Sequence, residues 1–252
     1  MASTSGIGVR KTTRPLLEVQ DIYVGYESTQ DVLRGVSLHV NEGEVVCVIG
    51  PNGAGKSTVF KAVYGMLRTR KGSVLFNGRD ITNIHPRDAL KVLGITIVPQ
   101  LRSVFPKMTV RENLELGMYL SPNKSKISDR IDYVYDLFPQ LGQRAKQHAG
   151  TMSGGEQRML EIGRALMWRP RLVLMDEPSA GLAPITTESI FAAIRRLNEE
   201  IGLTVLMIEQ NARQGLRASD RGYVIELGRQ TYDGAAADLL ANQNVRRAFL
   251  GA

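Results

Sequence analysis

Short apolar runs recur along the chain at residues 16–20, 36–40, Val45–Ile49, 73–76, Ile95–Val98, 172–175, Thr204–Ile208 and 223–227. Each has the length of a strand. The central runs, such as Val45-Val46-Cys47-Val48-Ile49, are unbroken, which is the pattern of strands covered on both faces. The early ones, such as Leu16-Leu17-Glu18-Val19-Gln20, alternate apolar and polar positions and suit an antiparallel layer at one edge. Between about Pro106 and Trp168 the period changes, and residues 110–120, 127–138 and 154–168 carry apolar side chains at helical spacing. The pattern predicts an α/β fold: a core of mostly parallel sheet built from both ends of the chain, an antiparallel β layer, and a helical lobe inserted in the middle. The expected divisions are a flexible tail at 1–14 and one domain at 15–252. Within that domain the core takes 15–100 and 169–252, and the lobe takes about 101–168. No internal repeat or low-complexity segment interrupts this pattern.

Composition narrows the setting. The chain has 252 residues, of which 43% are hydrophobic, enough for a packed core. No apolar stretch approaches the roughly 20 residues that span a bilayer. The first thirteen residues are small, polar and basic, unlike a secretory signal. The expectation is a cytoplasmic protein that meets a membrane only through partners. The net charge is +7, but the basic residues are scattered, and Arg68, Arg70 and Lys71 make the one tight internal group. That predicts a solvated surface and no nucleic-acid partner. The lone Cys47 lies inside an apolar run, so it forms no internal disulfide and reads as a packing residue.

Gly50-Pro51-Asn52-Gly53-Ala54-Gly55-Lys56-Ser57 matches G-x-x-x-x-G-K-[ST] in full. A strand precedes it, and a helix-compatible run beginning at Thr58 follows, which is the context the motif requires. The glycines let backbone N–H groups turn inward around phosphate oxygens, and a helix N-terminus adds its positive end. Lys56 supplies a point charge to the β- and γ-phosphates, and Ser57 offers a hydroxyl to Mg²⁺. The expected nucleotide contacts run from Gly50 through Thr58.

Leu172-Val173-Leu174-Met175-Asp176-Glu177 is an apolar strand that ends in two carboxylates. Where the chain turns at a strand end, both can face one crevice. Asp176 is placed to hold Mg²⁺ through water, and Glu177 to orient and polarise an attacking water. A third segment, Ser153-Gly154-Gly155-Glu156, has the spacing of a capping box and opens a helix. Two successive glycines are a costly start for a helix unless something must approach the backbone closely. A phosphate against Ser153 and the N–H groups after it would account for them.

With these three motifs in order, the chain from Leu16 onward resembles the ATPase subunit of an ABC transporter. The resemblance implies that Ser153–Glu156 meets the γ-phosphate of ATP bound to an opposing subunit, in a pair of cassettes. It also implies that Tyr26 stacks on adenine and that Gln100 senses Mg²⁺ and the γ-phosphate. The loop 179–184 is then the one that crosses the dimer interface. The most similar subfamily is the second ATPase subunit of branched-chain amino-acid importers. Val104–Leu116, Thr151–Met167, Asp176–Ile185, Ile208-Glu209-Gln210-Asn211-Ala212 and the ending 241–251 carry that likeness. Urea and short-amide importers share much of this pattern.

Two departures stand out. Most ABC ATPases place a histidine after the fifth core strand, where it reaches the γ-phosphate; the aligned residue here is Gln210. Glutamine donates a neutral hydrogen bond but carries no proton or charge near neutral pH. In the interface loop, Ala183 stands where many relatives carry aspartate. These changes lead to the expectation of a heterodimer with unequal sites, the slower one built on Lys56, Glu177 and Gln210; a homodimer is the alternative. The family also implies two membrane permease subunits, and a periplasmic substrate-binding protein indirectly. The exposed apolar residues Val104, Phe105, Pro106 and Met108 suggest the docking site for a permease segment. A different class, soluble ABC ATPases acting on nucleic acid or ribosomes, is disfavoured because the interval from Lys56 to Ser153 holds no heptad run.

Overall fold

The computed structural model describes residues 15–26 and 30–250, so the expected tail at 1–14 lies outside the described residues. In chain order the elements are β1 (Leu17–Val24), β2 (Leu33–Val40), β3 (Val45–Ile49), α1 (Lys56–Val63), β4 (Thr69–Phe76), β5 (Arg79–Asp80), α2 (Pro86–Lys91), β6 (Ile95–Val98) and α3 (Val110–Gly117). There follow α4 (Ile127–Leu137), α5 (Pro139–Gln143), α6 (Gly154–Leu166), β7 (Leu172–Asp176), α7 (Pro184–Ile201), β8 (Thr204–Ile208), α8 (Ala212–Arg217), β9 (Arg221–Glu226), β10 (Arg229–Ala235) and α9 (Ala236–Ala241). The larger sheet has the order β10-β9-β3-β8-β7-β6, parallel throughout except for β10 at its edge. The second sheet, β2-β1-β4-β5, is antiparallel. This is an α/β fold with an antiparallel layer, as the patterning predicts.

The unbroken apolar strands explain how the layers stack. Along β3, Val46 and Val48 point into one core with the antiparallel sheet and α1. Val45, Cys47 and Ile49 point into another, which continues through Val110, Leu114, Ile131 and Leu160 of α3, α4 and α6. All five β3 side chains are fully buried, because a sheet covered on both faces has no wet side. Cys47 is free and buried, in keeping with a packing role; burial pushes its thiol well above the ordinary value.

Besides several short elements, the patterning misses α7 and β10, and it reads β1 only in part. Helix α7 carries Ile190, Phe191, Ile194 and Leu197 on its buried side and stops at Gly202, whose φ is 66°. Its N-cap position is Ala183, which offers no side-chain cap. Strand β10 alternates exposed and half-buried residues and has no apolar run, so an edge strand leaves little trace in the sequence. Strand β1 runs past the expected Gln20 to Val24 by way of an irregularity at Asp21, whose φ is 48°.

Parallel pairing then sets the site. Val48 of β3 is in register with Ile208 of β8, and Asp176 of β7 with the same Ile208. The carboxyl ends of three adjacent strands therefore open on one side. In open α/β sheets that edge is where ligands bind.

Candidate functional site

Beyond those strand ends lies a cavity of about 500 Å³, lined by Tyr26, Val32, Asn52, Gly53, Gly55, Lys56, Ser57, Thr58, Gln100, Glu177 and Gln210. Gly50 turns the chain out of β3 at a φ of 150°, where an added Cβ would sit 2.0 Å from the Ile225 carbonyl oxygen, so no side chain fits. Gly50 and Pro51 are not among the lining residues, but Lys56, which is, donates from Nζ to their carbonyl oxygens at 2.8 and 3.1 Å. Ala54 is buried and closes the turn, its N–H donating to Pro51 O at 3.2 Å. Lys56 itself is only 6% exposed, and burial lowers the affinity of its amine for its proton, against the pull of Glu177 and Asp176. A buried ammonium held against backbone carbonyls is poised to exchange them for phosphate oxygens.

The acidic pair divides as the turn at the end of β7 dictates. Asp176 accepts from Ser57 Oγ at 3.3 Å, and burial raises its carboxyl above the ordinary range. Glu177 has a φ of 47°, a left-handed backbone that a non-glycine residue adopts at a cost. Three contacts hold it there. Glu177 N donates to Ile208 O at 2.9 Å, Ala180 N donates to Glu177 O at 3.0 Å, and Gln100 Nε2 donates to Glu177 Oε2 at 2.7 Å. Gln100 is steadied from α6, where Arg158 donates to the carbonyls of Pro99 and Gln100 at 2.9 and 3.0 Å and pairs with the buried Glu161 at 2.9 Å. Arg158 and Glu161 carry no motif, and the sequence reading passes over both.

Tyr26 stands at the rim, 42% exposed. Lys61 of α1 donates to its hydroxyl at 3.1 Å and lies 5.3 Å from its ring centre. The Lys61 contact lowers the phenol below its ordinary value. Gln210 lines the cavity from the end of β8.

Its neighbour Glu209 carries no chemical signature of its own in the sequence. It is 1% exposed, and burial, with Glu177 nearby, raises its carboxyl to about 7. The folded chain therefore keeps a proton that the unfolded chain has released from its ordinary glutamate value upward. Stability from this group is fully present below that value and is lost as pH rises through about 7, a cost on the order of 3 kcal/mol. Glu209→Gln is expected to remove this dependence, so its melting temperature should gain on the wild type from pH 5 to pH 8. Parallel melting curves across that range would show no drift in the difference if the buried carboxyl were not the cause.

The segment from Ser153 to Glu156 does not line this cavity. It caps α6, with Ser153 N donating to Glu156 Oε2 at 2.8 Å and Glu156 N to Ser153 Oγ at 3.4 Å. Ser153 is exposed, and Gly155 is buried. An added Cβ on Gly155 would meet Thr186 Cγ2 at 2.3 Å, so part of the close approach that the two glycines signal comes from this chain's own α7.

A second cleft, of about 490 Å³, lies where the segment after Gln100 meets the helices and is lined by Phe105, Leu116, Tyr119, Glu161, Arg164 and Trp168, among others. Phe105 is 50% exposed, and Pro106 is also exposed, while Val104 and Met108 are half-buried. The segment is pinned by Asn113, fully buried in α3, which accepts from Phe105 N at 2.8 Å and donates to Phe105 O at 3.0 Å.

A glycine-rich phosphate loop leading into a helix, with two carboxylates and an amide converging on it from neighbouring strand ends, defines a phosphate-loop nucleotide-binding cassette. The family model for the ABC transporter domain matches residues 33–180. The chain is 45% identical over 226 residues to BraG of Pseudomonas aeruginosa, named as a high-affinity branched-chain amino acid transport ATP-binding protein; the match covers 90% of this chain and 96% of that one. BraF of the same organism, with the same description, is 33% identical over 254 residues, covering 95% and 99%. The solved ADP conformation of an ATP-binding cassette of an ABC transporter superposes with a TM-score of 0.83 at 32% identity, covering 95% of this chain and 100% of that one. The chain belongs to the ABC transporter family, and it is an ATPase of that family.

Proposed function

We propose that the chain is the second ATP-hydrolysing subunit of a branched-chain amino-acid importer, working as one half of an ATP-closed pair of cassettes. The observation that carries this is its greater likeness to BraG than to BraF. Two distinct ATP-binding proteins with one description in one organism also favour a heterodimer over a homodimer. In this reading two permease subunits hold the pair at the inner face of the membrane, and a periplasmic substrate-binding protein acts through them. Residues of about 101–168 form the helical lobe, and 15–100 with 169–252 form the core.

The geometry supports a division of labour. Backbone N–H groups of the loop from Gly50 to Thr58 and the ammonium of Lys56 take the β- and γ-phosphates. Tyr26 at the rim offers its ring to adenine. Glu177, aligned by Gln100, orients the attacking water and accepts its proton. Ser57, Asp176 and Gln100 supply hard oxygen donors, which suit Mg²⁺, an ion that binds through one or two carboxylates plus substrate phosphates and water. Among the described residues no cluster of three or more His, Cys, Asp or Glu offers a dedicated all-protein cage, in keeping with that mode. When bound, Mg²⁺ neutralises charge on the β- and γ-phosphates. Ser153–Glu156 would close on the partner's nucleotide. Gln210 offers a neutral hydrogen bond where a histidine would add charge, which favours a slower site here.

The cleft around Phe105 suits an apolar segment of the permease. In a strain lacking this chain, the wild type is expected to restore uptake of labelled leucine and not of labelled urea. Phe105→Asp should restore neither and should lose co-purification with the permeases while still binding ATP. Urea uptake would redirect the substrate assignment, and assembly retained by Phe105→Asp would refute docking at this cleft.

A further inference from the structure

Glu209 has no chemical role in the sequence reading, yet it links the ends of β8 and β7. It follows Ile208, the last residue of β8, and Ser179 follows Glu177 beyond the neighbouring β7. Ser179 N donates to Glu209 Oε1 at 3.0 Å, and Ser179 Oγ donates to Glu209 Oε2 at 2.8 Å. One buried carboxylate is thus gripped at both oxygens by the first residue of the loop that leads to α7. The stem of Glu209 is packed as tightly. An added Cβ on Gly215 of α8 would meet Glu209 Cβ at 2.9 Å and Cys47 Sγ at 2.8 Å, so only a glycine lets α8 pack its backbone this closely on the stem.

The same loop is tied to Glu177. Ala180 N donates to Glu177 O, and Leu182 N donates to Ser179 O at 3.2 Å. A shift of Ser179 therefore moves the peptide that holds Glu177 in its left-handed conformation. Burying a carboxylate costs free energy unless its hydrogen bonds are satisfied. Here the cost is offset by the two bonds from Ser179 and by a backbone bond from Asn211, and Ser179 is the partner that lies on the neighbouring strand's loop.

We propose that Glu209 is a positioning residue for hydrolysis: by clamping Ser179 it fixes the interface loop, and through that loop the backbone of Glu177, so that the carboxylate and Gln210 meet the γ-phosphate in register. The inference deepens the ATPase reading above and rests on it. Glu209 touches no reacting atom and acts through Ser179.

The test uses the transporter complex purified with its partner cassette and permeases, with the partner's own catalytic glutamate replaced by glutamine. Turnover then reports the site built on Lys56. Glu209→Ala is expected to lower kcat roughly tenfold, the loss of two hydrogen bonds, with KM for ATP and nucleotide affinity unchanged. Ser179→Ala should show a smaller fall in kcat, and the double variant should be no slower than Glu209→Ala alone. Glu209→Gln keeps both contacts, its oxygen accepting from Ser179 N and its amide donating to Ser179 Oγ, and should turn over close to wild type. Unchanged kcat in Glu209→Ala, or a glutamine variant as slow as the alanine one, overturns the proposal. If Glu209→Ala does not fold, Ser179→Ala decides alone: lower kcat at constant KM supports the clamp, and wild-type kcat refutes it. A wild-type complex that hydrolyses no ATP defeats the ATPase reading itself; hydrolysis indifferent to Glu209 and Ser179 defeats only this inference.

Discussion

Glu177→Gln is expected to slow hydrolysis at the site built on Lys56 by roughly 10²–10⁴-fold, the usual contribution of a positioned general base, while ATP still binds. The amide has the size of the carboxylate, and its oxygen can still accept from Gln100 Nε2, a bond of 2.7 Å in the wild type. The backbone bonds from Glu177 N to Ile208 and from Ala180 to Glu177 are untouched, so the loop geometry survives. What disappears is the capacity to polarise water and take its proton. On the proposed reading Lys56 and Ser57 still hold the phosphates, so the ATP-closed pair should persist where the wild type would reopen. Turnover is compared in a pair whose partner carries the matching substitution, and closure is followed by gel filtration with ATP. Turnover within a few-fold of wild type would assign the base elsewhere.

Lys56→Ala attacks the other side of the site. A hydrogen bond to a charged group contributes about 1.5–3 kcal/mol, so the affinity for ATP should fall roughly tenfold to a hundredfold. The fold should survive. The loop remains closed by Ala54 N to Pro51 O at 3.2 Å and Thr58 N to Gly55 O at 3.0 Å, and removing a 6%-exposed ammonium relieves a desolvation cost. The expected signature is weak nucleotide binding at an unchanged melting temperature without ATP, together with a lost ATP-induced rise in that temperature. Unchanged affinity would mean that Lys56 keeps its bonds to Gly50 and Pro51 instead of turning to phosphate.

These two residues were legible early because their chemistry is contiguous. A phosphate loop needs its glycines, lysine and serine within one turn of chain, and an acidic pair at a strand end needs only the two neighbours. Helix α7 was less visible. Ile190, Phe191, Ile194 and Leu197 keep helical spacing, but they follow the loop at 179–183 and are interleaved with polar residues, so the period is weak where the helix begins. Strand β10 is hidden for another reason. As an edge strand it pairs on one side and shows water its alternate residues, so it needs no apolar run.

The side chains that steady the site were not legible at all. Asn113 has no assigned role in the sequence, yet it is fully buried and bonded to Phe105, Met108 and Thr109. Arg158 and Glu161 have no assigned role in the sequence, yet Arg158 holds the carbonyls of Pro99 and Gln100 and pairs with Glu161. Glu209 reads as a polar strand end until β8 is set beside β7.

By itself the sequence determined the layered α/β core, the loop that turns out of β3, and which side chains could hold phosphate, because each depends on neighbours in the chain or on a simple period. The tertiary structure alone decided that Gln100 meets Glu177, that Glu209 accepts from Ser179, and that Arg158 holds the carbonyls of Pro99 and Gln100. Those outcomes depend on strand order and parallel register, which bring together residues far apart in the chain, and no local pattern of residues encodes that distance.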